Sequence, residues 1–598
     1  MKLPASSISR RVRLLSASAA LACASAIQAQ VPAPRAPTRE EVERPRPERA
    51  DRRPGLSVEG GIERAPCALE GEGFRDIRFT PRSVSFGGLK QLPQSALRSA
   101  WEPYVGREQP VSVICEIRDR AATLLREAGY IAAVEIPEQR IAGGELRLEV
   151  LMAKLVAIRV RGNAGRSERI VARYLGKLTR QEVFNRFEAE RYLLLARDLP
   201  GYDVRLSLKS AGAGRGEVIG EVTVRRQAGT LVANVQNLGS SELGRWGGML
   251  RGELYGMTGL GDRTSLALYS TPDFEEQRTI QLGHEFRVGG EGLTLGGQLT
   301  FAWAEPDLDD PALEVKARTL LATFEAGYPI LLTQASSLRA ALGFDWIDQK
   351  VRVNALPLSS DRLRVAFARL EFERTDRSSF GRLAGYSGTE PRWRIGGNVE
   401  LRQGLGLFGA SRSCGPAFVR CLGPGAVPPS RFEGSATAAL LRFRAAAEYR
   451  PAPGLAFALG ANGQYADKPL LSFEEYSAGN YTIGRGYDPG ALLGDRGLGL
   501  QAELRYGSLV PRKAGGLAVQ GFAFADAAWI RNEDVVFALA ERRSLLSVGG
   551  GLRAAFGDGA RLEAMVAVPL ERAGLQAQRG GPRLLFSLTT RLWPWSFR

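Results

Sequence analysis

The chain has 598 residues, a formal net charge of +16 and a single histidine. This length allows several domains, and one histidine leaves little basis for a Ser-His hydrolase or a histidine-rich metal site. The sequence carries no Walker-type phosphate loop, so nucleotide-driven work is not indicated. In a cytoplasmic protein such a positive charge would suggest binding to nucleic acid. In an exported protein it is equally compatible with binding to lipopolysaccharide phosphates, with a polar lumen or with an acidic protein partner.

The first 29 residues carry the features of a secretory signal peptide. Basic residues precede an apolar stretch from Leu14 to Ala26, and the small residue Ala29 suits cleavage. The stretch is too short for a membrane anchor, and no later segment reaches the roughly eighteen uninterrupted apolar residues of a membrane helix. We therefore expect residues 1–29 to be removed and the mature chain to leave the cytoplasm.

Residues 30–72 form a predicted linker rich in Pro, Arg and Glu, with too few apolar residues to build a core. A short helix is predicted around Arg39 to Arg44, where Pro45 stops it. A second interpretation stays open at this point, in which the segment is a plug that enters or leaves a pore.

Four cysteines remain after removal of the signal peptide. Cys67 and Cys115 lie in the N-terminal region, and Cys414 and Cys421 lie seven positions apart in a Gly/Pro-rich loop. An even number of cysteines in an oxidising compartment predicts two disulfides. A catalytic thiol would need a base, for which this sequence offers little.

Residues 73–152 and 153–227 repeat one pattern, β-α-α-β-β, over about 75 residues each. The first unit is predicted to contain a strand at 74–80, helices at 94–104 and 110–128, and strands at 131–136 and 145–151. The second is predicted to contain a strand at 155–161, helices at 167–175 and 180–197, and strands at 202–208 and 217–225. A three-stranded sheet covered by two helices leaves an open edge, which can accept an extended strand from another polypeptide.

From residue 228 to the end, about 370 residues alternate strictly between apolar and polar side chains. In "LTLGGQLTFAWA", Leu295, Leu299 and Trp303 share one parity while Thr294 and Gln298 share the other. A soluble sandwich also alternates, but its length is rarely so great and its outward face is polar. Apolar rows ending in aromatics opposite a charged face predict a transmembrane antiparallel β-barrel of about 16 strands.

The final predicted strand departs from the usual end of such barrels. Leu584, Phe586 and Leu588 make a lipid face, but the chain ends on Arg598 rather than on the aromatic Phe597. We expect an atypical assembly signal.

The stretch "GRGYDPGALLGDRG" at 484–497 carries two arginines and two aspartates among five glycines. A hairpin turn requires only Gly with Asn or Asp at its positive-φ positions, so Arg485 and Asp495 are surplus to turn formation. In isolation this is a solvated loop, and it is no dinucleotide fingerprint because no helix follows.

The two repeats, including "AGYIAAVEIPEQRIAGGELRLEV" at 128–150, look like tandem POTRA domains. Together with "GRGYDPGALLGDRG" and the following strand "LGLQAELRY", they make the chain resemble the two-partner secretion transporters, the haemolysin secretion/activation proteins of Gram-negative outer membranes. The resemblance covers nearly the whole mature chain. It implies periplasmic POTRA domains at 73–152 and 153–227, and a barrel at 228–598.

In this family a loop with the pattern Val/Ile-Arg-Gly-Tyr/Phe folds back into the barrel, and its arginine meets an aspartate on the inner wall. Arg485, Gly486 and Tyr487 match, while Gly484 replaces the branched residue and is expected to loosen the seat of the loop. The wall motif Phe-x-Asp-x-Gly is matched at Phe524 and Asp526.

The wall motif of the family ends in glycine, whereas this chain has Ala528. Asp526 shares its parity with Gln520, opposite Leu517 and Val519, which places it toward the lumen. The resemblance therefore implies a clasp between the loop arginine and this aspartate.

The resemblance implies export of an unfolded adhesin- or haemolysin-like β-helical exoprotein, captured by POTRA domains, with no cofactor, metal, nucleic acid or catalytic role. Asp495 and Arg496 are expected to brace the return of the loop. Other expected partners are outer-membrane lipids, lipopolysaccharide and the barrel-assembly machinery, and the chain is expected to be a monomer. His284, in "QLGHEFRV", is expected to be a strand residue at the interface or in the lumen.

Three alternatives remain: a barrel-insertion factor of the same superfamily, a passive porin, and a barrel enzyme such as a phospholipase. Barrel-insertion factors usually carry more POTRA repeats, and a porin has no use for them.

Overall fold

The computed structural model describes residues 36–43, 66–141, 143–162, 165–211, 216–307, 312–381, 385–513, 515–534, 543–574 and 578–594. The predicted signal peptide, most of the predicted linker and the last four residues, with Phe597 and Arg598, lie outside these ranges. Among the residues that the structure describes, no helix is long and apolar enough to cross a bilayer.

The first described element is a one-turn helix, α1 (Arg39–Val42), inside the predicted linker. Two α+β repeats follow. The first contains β1 (Arg78–Phe79), β2 (Ser83–Gly87), β3 (Gln109–Pro110), α2 (Val113–Glu127), β4 (Ala132–Glu135) and β5 (Glu145–Met152). The second contains β6 (Lys154–Gly162), α3 (Glu168–Leu175), α4 (Arg186–Arg197), β7 (Tyr202–Ser210) and β8 (Glu217–Arg226).

The sheets of the two repeats share one topology. The first has the order β2-β5-β4 and the second β6-β8-β7, so the last strand of each repeat lies between a parallel and an antiparallel neighbour. Each sheet therefore ends in two edge strands. The helices cover one face and enclose a separate apolar core in each repeat.

The start of the first repeat differs from the prediction. The predicted strand 74–80 is reduced to β1, paired only with β3, and the strand that joins the main sheet is β2. Val84 and Phe86 on β2 are buried, whereas the serines beside them are exposed. Burial of two apolar side chains under the helices favours β2 over the preceding segment.

The predicted helix 94–104 is also different, because the structure contains two 3-10 helices, Gln94–Ala100 and Glu102–Tyr104. The second has proline in its first turn, and a proline inside one continuous α-helix would remove a backbone donor. The helix predicted to start at 180 begins at Arg186, where the Asn185 side chain accepts a hydrogen bond from the Phe187 amide as an N-cap.

Sixteen strands form one closed antiparallel barrel. They are β9 (Gly229–Gln236), β10 (Gly247–Tyr255), β11 (Arg263–Ser270), β12 (Gln277–Val288), β13 (Leu293–Ala304), β14 (Val315–Leu332), β15 (Ser336–Val353), β16 (Leu356–Thr375), β17 (Trp393–Gly404), β18 (Ala439–Ala452), β19 (Leu455–Ala466), β22 (Arg496–Gly507), β23 (Leu517–Arg531), β24 (Ser544–Phe556), β25 (Ala560–Pro569) and β26 (Arg583–Trp593). β26 pairs with β9, which leaves no sheet edge. The predicted number of strands is confirmed.

The inner and outer faces of the barrel alternate as the sequence predicts. On β23, Gln520, Phe524 and Asp526 are buried toward the lumen, whereas Leu517 and Val519 are exposed on the outer surface. The same alternation of an apolar outer face with a polar inner face is required of a strand between lipid and a polar lumen.

The second repeat is fixed to one end of the barrel. Leu332, at the end of β14, belongs to the apolar core of that repeat. Arg339 on β15 forms an ion pair of 2.7 Å with Asp198, and Lys177 forms one of 2.6 Å with Glu291 in the turn after β12. Apolar and ionic contacts together set the orientation of the second repeat at the barrel mouth.

Candidate functional site

A long connection, residues 467–495 between β19 and β22, folds back into the barrel and is called the infolded loop. Its strands β20 (Tyr476–Ala478) and β21 (Leu492–Gly494) pair with each other. Tyr487 on the loop packs in one buried cluster with Ala528 and Ile530 of β23 and Leu545 of β24. The loop is thus seated on the inner wall rather than extended into solvent.

Arg485 of the infolded loop makes a bidentate contact with Asp526 on β23. Its Nε and Nη2 atoms donate to the two carboxylate oxygens at 2.9 and 2.6 Å, and its backbone amide donates to the same carboxylate at 3.0 Å. Its guanidinium carbon lies 3.6 Å from the centre of the Phe524 ring. The structure therefore brings together the residues that the sequence assigns to the clasp.

Glu503 on β22 is a second acidic partner of Arg485, and sequence reasoning missed it. Glu503 also pairs with Arg505 at 2.7 Å and with Arg553 on β24 at 3.0 Å. Among the ion pairs of the described residues, Asp526 has only Arg485. Loss of Arg485 would consequently leave Asp526 buried without a cationic partner, whereas Glu503 would stay paired. The alternation in "LQAELRY" could have indicated this role, because Gln501, Glu503 and Arg505 share the lumen-facing side of β22.

Gly484 does not loosen the seat of the loop, contrary to the expectation from sequence. Its φ of +125° is a conformation that favours glycine, and an added Cβ would lie 2.9 Å from the Leu545 side chain. Leu545 fills the space that a branched residue would need. An added Cβ on Gly486 would lie 2.8 Å from Ser547, so this glycine also permits close approach to the wall.

The Tyr487 hydroxyl lies between β24 and the segment that follows β25. It is 2.7 Å from the backbone carbonyl oxygen of Leu546 and 3.0 Å from that of Glu571. The tip of the loop is therefore held by the aromatic residue as well as by the arginine.

Asp495, where the infolded loop returns to the wall, is fully buried. Its carboxylate accepts from the Arg431 guanidinium at 2.6 Å and from the backbone amides of Leu470 and Glu533 at 2.7 and 2.8 Å. The Arg431 guanidinium also pairs with Glu475. Burial alone would lower the pKa of Arg431, but the surrounding carboxylates outweigh burial and raise it. Asp495 thus joins both ends of the loop.

Arg496 lies on the outer side of the rim. Its Nε donates to the Ala466 carbonyl oxygen at 3.0 Å, it pairs with Glu533 at 3.1 Å, and it lies over the Tyr465 ring.

Helix α1 lies inside the barrel lumen. Thr38 and Glu41 form a reciprocal capping box at its start. The side-chain amides of Gln277 and Gln281 on β12 donate to the carbonyl oxygens of Glu41 and Val42 at 3.1 and 3.2 Å. Val42 is fully buried among apolar residues of the wall and of the infolded loop. Sequence composition alone predicted the helix but left its position open.

Arg39 of α1 connects the wall and the infolded loop. Its guanidinium pairs with Asp345 on β15 at 2.9 Å and with Glu474 of the loop at 3.0 Å. Arg402 on β17 pairs with the same two carboxylates at 2.7 and 2.8 Å, and Arg442 pairs with Glu474 at 3.0 Å. Both acidic residues therefore keep an arginine when α1 is absent.

The cysteines form two pairs in the structure, Cys67 with Cys115 and Cys414 with Cys421. The first joins the start of the first repeat to α2, and the second closes a small loop between β17 and β18. His284 lies on the outer face of β12, and its Nδ1 lies 2.9 Å from the Thr264 hydroxyl. This position corresponds to a strand residue facing the membrane.

A family model for the haemolysin secretion/activation protein ShlB/FhaC/HecB matches residues 221–554, more than half of the chain. The chain belongs to this family. A model for the ShlB-type POTRA domain matches residues 79–152, the first repeat, and the second repeat has the same sheet order. The protein is therefore a two-partner secretion transporter of the outer membrane, with two periplasmic POTRA domains and a barrel through which an exoprotein is exported.

Relatives and solved structures agree with this assignment. The Heme/hemopexin transporter protein HuxB of Haemophilus influenzae is 20% identical over 418 residues, which cover 67% of each chain. The structure of CdiB from Escherichia coli has a TM-score of 0.69 and 16% identity, and covers 89% of this chain and 94% of that one. CdiB from Acinetobacter baumannii has a TM-score of 0.59 and 15% identity, with 90% and 95% coverage.

Proposed function

We propose that the POTRA pair binds an unfolded exoprotein in the periplasm by strand addition, and that the exoprotein then crosses the barrel lumen once α1 has left it. The observation that carries this proposal is a lumen filled by two inserts of unequal attachment. The infolded loop is seated by Arg485, whereas α1 is held by the single buried apolar side chain of Val42 and by polar contacts whose acidic partners keep another arginine. Folding of the exoprotein outside the cell gives the direction of transport, without nucleotide or catalysis.

The POTRA edge strands offer backbone groups to a client, and β6 suits this role better than the others. It has nine residues against four in β4 and five in β2. Val156 and Val160 on β6 are exposed by 39% and 48%. The equivalent apolar residues of β7, such as Val204 and Leu206, are buried in the core. An edge strand with exposed apolar side chains favours pairing with another extended chain.

The direction of β6 also suits delivery to the pore. Gly162 ends the strand, and Arg166, shortly after it, donates to the Met257 carbonyl oxygen in the turn between β10 and β11 at 3.0 Å. A segment paired with β6 would therefore run toward the mouth of the barrel.

The proposed client is a large β-helical adhesin- or haemolysin-like exoprotein. The remaining proposed partners are outer-membrane lipids around the barrel and the barrel-assembly machinery that inserts the chain, and the proposed functional unit is a monomer.

The test is export of the exoprotein encoded beside this chain, measured as its amount in the culture medium. Two carboxylates on the client edge, Val156→Asp with Val160→Asp, should reduce export strongly, because charged edges oppose strand addition. The control, Ser83→Asp with Ser85→Asp, adds the same charges to exposed positions of β2. Normal export by the β6 variant, with the protein present in the outer membrane, would refute delivery by β6. No export even by the intact chain would refute the assignment of that client.

A further inference from the structure

The outer wall of the barrel carries a row of basic residues on β12, β14 and β15, with a tryptophan of β13 among them. Arg278, Trp303, Arg318 and Lys350 lie opposite one another in the register of β12, β13, β14 and β15. All four share the parity of the outward-facing side chains on their strands. The next outward row toward the strand ends contains Lys316 and Arg352, again directly opposite each other. These residues are called the basic row.

On β14 the basic row begins where the apolar outer face ends, whereas on β15 the outward Asp348 lies between Lys350 and the apolar positions. The outward positions of β14 are apolar from Ile330 to Leu320, and Arg318 follows. Ten residues of a strand tilted by about 40° span roughly 25 Å along the barrel axis, which is the height of the apolar band of an outer-membrane barrel. The POTRA domains lie at the Leu332 end of this strand. The basic row is therefore at the level of the headgroups of the outer leaflet.

Several of these charges have no internal acidic partner. Lys316 pairs with Glu314 at 2.5 Å and with Glu305 at 3.6 Å, and Arg278 lies 3.8 Å from Glu305. Among the ion pairs within the described ranges, none involves Arg318, Lys350 or Arg352. Cations that have no acidic partner among the described residues lie here beside an apolar surface, with a tryptophan among them. This combination matches the requirements of a phosphorylated lipid headgroup above acyl chains.

On the opposite wall, the strand ends that point away from the POTRA domains are different. The outward positions near the ends of β24, β25 and β26 are the apolar Leu546, Val568 and Leu584. On β22 and β23 the outward Arg496 and Arg531 lie opposite each other, and both are paired with Glu533, at 3.1 and 3.3 Å. The outward Arg362 and Arg364 of β16 adjoin the basic row, and Arg364 is paired with Asp348 at 2.9 Å. The basic row differs from the paired Arg364, Arg496 and Arg531, because none of the ion pairs within the described ranges involves Arg318, Lys350 or Arg352.

We propose that the basic row is a binding site for the phosphate groups of lipid A, the phosphorylated glycolipid anchor of lipopolysaccharide in the outer leaflet. The acyl chains lie along Phe301 and Leu320, while Arg318 and Lys350 bind phosphate. Trp303 lies between the two regions, as aromatic residues do at a membrane interface. The site depends on the outer-membrane location of the barrel and not on the route of the exoprotein.

The test measures binding of purified full-length protein, in neutral detergent, to bisphosphorylated lipid A by native mass spectrometry. The double variant Arg318→Gln with Lys350→Gln should bind about thirtyfold more weakly, because each cation contributes roughly a fivefold increase in affinity. The control variant, Arg531→Gln with Arg512→Gln, loses the same charge from positions outside the row and should bind as the wild type does. Retained heat-modifiable mobility in gel electrophoresis shows that each barrel is folded.

A second arm uses lipid A from which both phosphates have been removed. The wild type should bind it as weakly as the double variant does. Equal binding of the two lipids by the wild type, or equal binding of bisphosphorylated lipid A by the wild type and the double variant, would overturn the proposal. Loss of export with unchanged lipid binding would assign the row to a protein partner and would overturn it as well.

Discussion

The infolded loop and helix α1 both lie in the lumen, and each places an arginine against an aspartate of the wall. Arg485 is enclosed by Asp526, Glu503 and the Phe524 ring. Arg39 contacts Asp345 and Glu474, but Arg402 already serves both carboxylates. The loop arginine is thus the sole cation of its aspartate within the described structure, whereas the helix arginine is a second cation at an occupied site.

This difference separates a permanent insert from a removable one. Taking away one member of a buried pair is costly when the other stays uncompensated, and much less costly when a second partner remains. The loop is also covalently continuous with β19 and β22, and Asp495 ties its two ends. Helix α1 has no such tie in the described residues, and its glutamine contacts go to backbone carbonyls that water can satisfy.

The largest effect on the stability of the two inserts is expected from Arg485→Met. It leaves Asp526 buried without a cation, which should destabilise the seat of the loop by about 3–5 kcal/mol. Protease cleavage within residues 467–495 should increase, and export should fall while the barrel stays in the membrane. Arg505→Met is the matched control, because Arg505 also pairs with Glu503 but makes no ion pair with the loop. Equal protection of the loop in the wild type and Arg485→Met would contradict the clasp.

Asp495→Ala should have the second-largest effect and lower the free energy of unfolding by about 3 kcal/mol. The reason is that the amides of Leu470 and Glu533 and one face of the Arg431 guanidinium lose their hydrogen-bond acceptor. Arg431 keeps Glu475 and Asp534, which limits the loss. The temperature at which heat-modifiable mobility is lost measures the effect. Asp467→Ala, at the exposed start of the loop, removes an acceptor for only the Ala439 amide and should shift that temperature much less. Equal shifts would show that Asp495 does not join the loop ends.

Gly484→Val restores the branched residue of the family pattern and should nevertheless destabilise the seat by about 2 kcal/mol. The causes are the positive φ and the contact with Leu545. Adding Leu545→Ala should recover only part of the loss, because the backbone strain persists. Gly406→Val is the control, since an added Cβ there meets only an ordinary contact at 3.7 Å. Unchanged thermal stability of Gly484→Val would show that the loop tolerates the family residue.

The smallest effect is expected from Arg39→Ala. Asp345 of the wall and Glu474 of the infolded loop both keep Arg402. The loss of binding free energy should therefore be about 1 kcal/mol, a roughly fivefold rise in the fraction of channels without α1. Planar-bilayer recordings of the purified protein measure that fraction as open time. Glu43→Gln, which removes a partner of Arg39 on the helix itself, should have less effect than Arg39→Ala. An Arg39→Ala channel as closed as the wild type would mean that other contacts retain the helix.

Much of this architecture could be predicted from the sequence, because period-2 alternation over a long stretch is a property of the residues themselves. The lumen side of Asp526 followed from its parity with Gln520 on the same strand. The second acidic partner, Glu503, followed from no motif, since its role depends on β22 lying next to β23 in the closed sheet. The sequence did not predict the strand β2, because this strand is stabilised by the burial of two apolar side chains, and only the packed helices bury them.

The sequence by itself determined two α+β repeats and a closed barrel of alternating strands, since both are properties of local periodicity and residue type. The residues of the clasp followed from the family resemblance, with the parity of β23 placing Asp526 toward the lumen. The tertiary structure alone decided that α1 occupies the lumen and that the basic row lies on one wall. It also decided that the Leu545 side chain leaves no room for a Cβ atom at Gly484. Such features arise from side chains that are far apart in the chain and meet only through strand register and barrel closure. No local pattern encodes which of many compatible neighbours those side chains will meet.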